Sequence, residues 1–507
     1  MAQGAVFQLV TNNGKQDKLL TASEFLSKRI SKLENVKLSD IEKTHVLFMN
    51  AHFKPYVTMA YEYNKVSLSN AVLSSQLQFS IPNYGDFFSD MVLHLVLEAP
   101  TASATGTVSD VSDTAVYRWC DWIGERICKT ISFDVNGNPL DSYQSETYNM
   151  HRQFMVGADK MTGWARNMGQ EMTQEGYFQY DTSAASVVAP AGSRGMVNVR
   201  NGYQTYRETH DDVSLFIPLL FWFNTDVALA IPSVAIPYGQ RYITVDLADK
   251  DDLVRVIVNP SATNALTAPV ITTPTIRTCE LYINNIFVQP DIHDIFIKRI
   301  GFTLVRVHRR QTSNINKETD QILLQQLKWP IEDIKCGMRP TANKVSNPDV
   351  TTTGASDSIS DPRMEDWHRF SQVSTTEVAA NVTTGVASAY VLKTETNHVK
   401  TLTIQAYGID LYKQLPAQFF NSYVPYHYGG WNIVTPTDPG LFMITFNLYP
   451  GSYQPSGHIN LSRAREFYLE YDSSYVTSTT TADLVVIATA INFLLISDGS
   501  AIMRYST

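Results

Sequence analysis

Charge is scarce in this sequence. Charged residues make up 18% of its 507 positions, against about 25% in ordinary soluble chains. Less of the surface is therefore built to stay wet, as expected where a protein is covered by other subunits. The balance of 40 Lys and Arg against 49 Asp and Glu gives a formal charge of −9. Basic residues never run beyond two in a row, and Arg306, Arg309 and Arg310 form only a broken cluster. A chain that grips nucleic acid needs a basic stripe, so direct contact with a genome is not expected. Cysteine is equally rare. Cys120, Cys128, Cys279 and Cys336 are the four present, with no CxxC pair and no Cys/His spacing suited to zinc. A disulfide framework is excluded, and a reducing compartment fits. We expect Cys128, beside Arg126 and Lys129, to be a core or interface residue.

Long apolar runs are missing too. The longest, Leu484 to Ile496, falls short of the ~20 residues that span a bilayer. It reads as a buried strand pair ending at the turn Ser497-Asp498-Gly499. Met1 to Gln8 lacks the basic start and apolar core of a secretory leader. With no sign of secretion, the sequons at Asn381 and Asn460 are expected to be unused. There is no GxSxG, HExxH or P-loop. His45 and His52 are wrongly spaced for shared metal ligation, and His210-Asp211-Asp212 reads as a solvated loop end. No catalytic residue, cofactor or metal site is expected.

Aromatic residues are abundant, with 26 Tyr, 23 Phe and 7 Trp. Strands and interfaces both favour them. Period-two alternation dominates the chain. Ile243, Val245 and Leu247 alternate with Tyr242, Thr244 and Asp246. Leu402, Ile404 and Ala406 would share one face, as would Phe467, Leu469 and Tyr471. Phe442, Ile444, Phe446 and Leu448 predict another strand. Asn136-Gly137 follows the strand Ile131–Val135 and predicts a type I′ hairpin, since both residues tolerate positive φ.

Helices are few in this reading. One starts at Pro290, with Asp291 and Asp294 at its positive end and Lys298 and Arg299 at its negative end. Another begins near Thr21, where Glu24 completes a capping box. Its apolar face would be Leu26, Ile30 and Leu33. That face either packs on its own domain or forms an arm reaching a neighbour or a membrane. Segments rich in Thr, Ser, Ala and Gly, at 101–114, 182–195, 259–278, 351–361, 371–389 and 476–482, read as long exposed loops. The β-rich pattern occurs on both sides of residues 290–298 and favours two similar all-β domains.

The segment Tyr423-Val424-Pro425-Tyr426-His427-Tyr428-Gly429-Gly430-Trp431 reads as an aromatic loop. It suits sugar stacking, an assembly anchor or the plug at the end of a barrel, and residue chemistry alone leaves these open. A carboxylate pair that meets only in the fold also stays open. A carbohydrate-active or glycan-binding β-sandwich is therefore the alternative function.

Several blocks carry a resemblance. They are Asn50-Ala51-His52-Phe53-Lys54-Pro55-Tyr56-Val57, Tyr84-Gly85-Asp86-Phe87-Phe88, Asp159-Lys160-Met161-Thr162-Gly163 and Leu327-Lys328-Trp329-Pro330-Ile331-Glu332. The C-terminal third adds Tyr426-His427-Tyr428-Gly429-Gly430 and Gln454-Pro455-Ser456-Gly457-His458-Ile459-Asn460-Leu461-Ser462-Arg463. From about residue 45 onward the sequence resembles the major capsid proteins of asfarvirus-like nucleocytoplasmic large DNA viruses. It is shorter than the African swine fever virus member between Met172 and Phe216 and between Val258 and Cys279.

The resemblance implies a double jelly roll, two tandem eight-stranded β-sandwiches with long insertion loops and few short helices. It places an N-terminal base segment at 1–38, one roll at 39–298 and a second at 299–507. It implies a non-enzymatic protein that forms homotrimeric capsomers. These would tile an icosahedral shell in the virion after assembly in the host cytoplasm. Implied partners are further copies of itself, minor capsid and penton proteins, a capsid-folding chaperone and the inner viral membrane at the base. Segment 423–431 is then expected to be buried, in the fold or between subunits. A glycan-binding protein would expose it.

Overall fold

A computed structural model describes residues 59–505, apart from 106–114, 171–172, 180–193, 201, 237–238, 259–266, 289–300, 346–360, 379–389, 463–465 and 498. The chain divides into Met1–Thr58, outside the described residues, and Met59–Thr507, to which all that follows refers. The expected N-terminal helix with Leu26, Ile30 and Leu33, the helix after Pro290, His45, His52, Asn381 and Arg463 lie outside the described residues.

Alternation in the sequence becomes alternation in burial. In Arg241–Leu247 every second residue is buried, including Ile243, Val245 and Leu247. Phe467, Leu469 and Tyr471 are buried in Phe467–Ser473, as are Leu402, Ile404 and Ala406 in Val399–Ala406. Asn136 and Gly137, at φ 52° and 75°, join Cys128–Val135 to Asn138–Gln144. Both lie in the left-handed region that a type I′ turn requires.

Sixteen strands build the four main sheets. In the N-terminal half they are β1 (Met59–Ser67), β2 (Gln76–Ser80), β3 (Phe87–Leu97), β4 (Cys128–Val135), β5 (Asn138–Gln144), β6 (Val213–Pro218), β7 (Arg241–Leu247) and β8 (Ile276–Val288). In the C-terminal half they are β9 (Gly301–Ile315), β10 (Thr319–Leu323), β11 (Pro330–Pro340), β12 (Val399–Ala406), β13 (Ile409–Pro416), β14 (Leu441–Thr445), β15 (Phe467–Ser473) and β16 (Ala482–Ser497). The sheet orders are β1-β8-β3-β6 and β2-β7-β4-β5, then β9-β16-β11-β14 and β10-β15-β12-β13. Adding eight to each number turns the first pair of sheets into the second. Each half is a sandwich of two four-stranded antiparallel sheets, and the whole is a double jelly roll. Short strands at Ile231–Pro232, Ile459–Asn460 and Ser500–Met503 extend the larger sheets. Among the described residues no ladder joins a strand before residue 289 to one after 300.

Four expectations need correction. The apolar run at 484–496 is part of one sixteen-residue strand, β16, between β9 and β11. Burial of both its faces along 482–492 accounts for its apolar length. Parts of the Thr/Ser-rich segments are strands: Ala102–Thr105 pairs with Thr267–Ile271, and Gln372–Val378 with Tyr390–Thr396. Threonine is a good strand former, and the pairing satisfies backbone groups that a loop would leave to water. β14 stops at Thr445 with all five residues buried, and Leu448 beyond it is exposed. Finally, segment 419–428 is helical, a π turn at Phe419–Tyr423 running into α2 at Val424–Tyr428. Its N-terminal-half counterpart, α1 at Ser145–Met155, follows β5 as 419–428 follows β13.

Candidate assembly surfaces

Helix α1 and the end of β5 form a polar seam with the C-terminal half. Asp141 on β5 accepts from the backbone N–H of His308 at 2.9 Å, and its other oxygen lies 2.9 Å from His308 Nδ1. Glu146 Oε1 accepts from Arg310 at 3.3 Å and Arg339 at 3.2 Å. These guanidinium groups hold the Glu146 carboxyl below its usual range despite burial. Gln153 Oε1 accepts from the backbone N–H and hydroxyl of Thr437. The Val434 N–H donates to the Phe154 carbonyl at 2.8 Å. Arg126 and Arg339 each lie about 5 Å from the Trp367 ring centre. The broken basic cluster seen in the sequence thus has inward work. Arg306 binds Glu332, Arg310 binds Glu146, and Arg309 stacks 3.8 Å over Trp329.

Two of the sequence blocks meet as a clasp. Ile459–Asn460 pairs with Pro330–Ile331 at the start of β11. The Trp329 N–H donates to Ser462 Oγ at 2.8 Å, and the Leu461 N–H donates to the Trp329 carbonyl at 3.0 Å. Trp329 has φ 82°, a costly value for a bulky residue. These bonds and the Arg309 stack hold it there. The Asn460 carbonyl accepts from Tyr407 Oη at 3.0 Å, and Asn460 Oδ1 from the Ser462 N–H. Ser456 Oγ accepts from the Tyr449 N–H at 2.8 Å, and the Gln454 carbonyl from Ser452 Oγ. Gly457 has φ 145°, and a Cβ there would meet the Phe446 carbonyl oxygen at 3.0 Å. Pro455 is half-buried beside it, while Gln454 and His458 are exposed. The signature therefore acts within the chain, closing the loop between β14 and β15 onto β11.

The aromatic segment points outward instead. Val424, Pro425 and Gly429 are buried, and a Cβ at Gly429 would strike the Pro425 carbonyl oxygen. Gly430, at φ 55°, turns the chain. Tyr423 stacks on His427 at 5.3 Å, and Tyr428 is half-buried. Tyr426 is 81% exposed and Trp431 fully so. Neither fills the end of a barrel, and the expected burial inside the fold is not observed. Leu448, Tyr449 and Tyr453 are exposed in the 448–453 turn. Asn432 ties that turn to the helix by donating to the Gly451 carbonyl.

A second exposed surface lies on the outer face of β1-β8-β3-β6. There Tyr63, Lys65, Val92, Phe216 and Tyr282 line a hollow of about 420 Å³. His94 stacks between Phe216 at 4.3 Å and Tyr282 at 5.7 Å. Lys65 reaches Glu280 at 2.8 Å. Sequence reading identified neither this face nor the seam. Their partners are far apart in sequence, and only the sheet order brings them together.

Among the described residues no three His, Cys, Asp or Glu side chains gather as a metal site. His210 lies 2.9 Å from the Tyr117 carbonyl, and Asp212 pairs with Arg277. All four cysteines are free and buried, Cys128 in the core as expected. Among the described residues no helix is long and apolar enough to cross a membrane.

Comparison with known proteins places these surfaces in context. A family described as large eukaryotic DNA virus major capsid protein matches residues 287–502. One described as major capsid protein N-terminus matches residues 48–289. The hexon protein p72 of African swine fever virus, isolate Tick/Malawi/Lil 20-1/1983, is 36% identical, with all of both chains covered. A major capsid protein of Phaeocystis pouchetii virus is 21% identical over 78% of this chain and 84% of that one. Among solved structures, the Faustovirus major capsid protein superposes with a TM-score of 0.74 at 34% identity, covering 97% of this chain and 99% of that one. A PBCV-1 virus capsid chain shares the fold at a TM-score of 0.60 and 17% identity, covering 91% and 100%.

Proposed function

The chain belongs to the major capsid proteins of large eukaryotic DNA viruses, and we propose that it works as a homotrimeric capsomer tiling an icosahedral shell. The observation that carries this is the repeated strand order, 1-8-3-6 becoming 9-16-11-14. Two like sandwiches in each chain give a trimer six like blocks around its axis. Such a ring has nearly hexagonal sides, the shape that packs flat. The rolls are assigned to 39–298 and 299–507, and the base to 1–38 with Leu26, Ile30 and Leu33 available to whatever lies beneath. Function is geometric, and no residue turns over a substrate. Minor capsid and penton proteins, the inner viral membrane and a folding chaperone are the further partners this reading implies. It puts the protein in the virion shell, after assembly in the host cytoplasm.

The exposed aromatic tips at Tyr426 and Trp431 are assigned to subunit contact, where Tyr and Trp contribute large area at little rotamer cost. Trp431→Ala tests this against glycan binding. The variant should fold normally, because Trp431 touches no core, and should lose trimers. Intact trimers that no longer bind glycans the parent bound would favour the carbohydrate reading.

A further inference from the structure

Segment 361–371 is gripped by both halves of the chain, although among the described residues no strand ladder joins them. From the N-terminal half, the Asp121 N–H donates to the Met364 carbonyl at 2.9 Å. Arg126 donates to the Arg363 carbonyl, and Asn149 to the His368 carbonyl. From the C-terminal half, Arg339 donates to the Trp367 carbonyl at 3.2 Å. Asn343 donates to the carbonyls of Arg369 and Ser371, both at 3.0 Å. The Trp367 ring has Arg126 from one half and Arg339 from the other as its cations.

The two ends of the segment are held by different forces. Shape holds Phe370. Its side chain is fully buried, and its N–H donates to Asp438 Oδ2 at 2.6 Å. A Cβ at Gly337 would meet Phe370 Cδ1 at 2.6 Å, and one at Gly440 would strike the Phe370 carbonyl. Such close backbone approach needs glycine.

Charge holds the other end. Arg118, on the strand Ala115–Trp119, bridges Asp121 at 2.6 Å and Glu365 at 2.8 Å. Lys393 binds Glu365 and lies 3.6 Å from Asp366. Arg369 lies 3.3 Å from Asp366 and binds Glu395. Charges of alternating sign thus run from Asp121 through segment 361–371 to Glu395. Lys393 and Glu395 stand on the ribbon that pairs Gln372–Val378 with Tyr390–Thr396. Burial pushes the Asp121 carboxyl up to about 7 and raises Asp366 too. Removing one partner from such a site leaves the other charged and dry, which is strongly destabilising.

We propose that segment 361–371 is a latch between the two rolls, hinged at Phe370 and worked by the ribbon. With the ribbon in place, the charged end grips the N-terminal half. With the ribbon displaced, that end lets go while both sandwiches stay folded. Met364 is the one fully buried apolar side chain in 361–369, and segments with little apolar burial open before the core does. A load on the ribbon thereby reaches the junction of the rolls. The latch lies within one chain and does not depend on the trimeric reading.

Hydrogen exchange on the full chain, resolved to single amides by mass spectrometry, tests it. The Asp121 amide, bonded to the Met364 carbonyl, reports the charged end, and the Phe370 amide, bonded to Asp438, reports the hinge. Lys393→Met cuts the alternating charges at a half-buried site and keeps the length of the side chain. In this variant the Asp121 amide should exchange more than about tenfold faster than in the parent, a loss of 1.4 kcal/mol of latch stability. The Phe370 amide and those of β12 should keep the parent rate. Equal acceleration of the Asp121 and Phe370 amides would show that there is no hinge. An unchanged Asp121 amide would show that the ribbon does not work the latch. Either result overturns the proposal. Glu395→Gln, at the outer end of the same run of charges, repeats the measurement should Lys393→Met fail to fold.

Discussion

Gln153 and Thr437 are separated by 284 residues, yet the Gln153 side-chain oxygen accepts from both the backbone N–H and the hydroxyl of Thr437, each at 2.9 Å. The Asp438 N–H donates to the same oxygen at 3.3 Å. All of this lies in a buried seam, where an unmet donor costs its full desolvation. Gln153→Ala should lower unfolding stability by roughly 1–3 kcal/mol. Denaturant titration checks this, and a midpoint unchanged from the parent would show that water replaces the amide freely.

Gly457 holds the 454–462 signature in place. Its φ of 145° suits glycine, and an added Cβ would press on the Phe446 carbonyl oxygen. Gly457→Ala should cost about 1–3 kcal/mol. Because the clasp closes onto Trp329, Trp fluorescence should shift as well. A silent spectrum with unchanged stability would remove the signature from the clasp.

Acid should loosen the seam. Burial pushes the His151 imidazole down to about 4, and burial also holds His368 well below its usual value. Both are neutral in the folded state at a pH where the unfolded chain already binds protons. The unfolded state therefore takes up more protons between pH 6.5 and 4, and stability falls as pH falls through that window. The loss from His151 is on the order of 1–3 kcal/mol. Melting temperatures at pH 7 and pH 5 measure it, and His151→Phe should flatten the difference.

The cysteines give a simple chemical check. Burial pushes the thiols of Cys120, Cys279 and Cys336 up to about 12 and raises Cys128 too. Buried protonated thiols are inert. Ellman's reagent should find none reactive in the native protein and all four after unfolding.

Much of the fold was legible in the sequence. Wherever a strand has one core face, as in 241–247 or 467–473, the period of two is visible without a structure. Legibility fails where both faces are buried. β16 reads as a uniform apolar run, and so looks like two short strands rather than one long strand between two neighbours. Thr-rich ribbons failed for the opposite reason, since a strand with no core face has no period to show. The Arg306–Arg310 cluster could be counted but not placed. Its acidic partners Glu332 and Glu146 arrive from other strands and another roll. The signature residues 454–462 were found by resemblance, but their role in a clasp with Trp329 depends on sheet order. The helical form of 419–428 was hidden by Pro425, which reads as a loop residue yet also fits the first turn of a helix.

The most direct measurement is the native mass of the purified protein by light scattering after size exclusion. The chain is 56.9 kDa, so three copies give roughly 170 kDa. A stable species of that mass is the result this account predicts. A well-folded monomer at concentrations far above those of capsid assembly would contradict it.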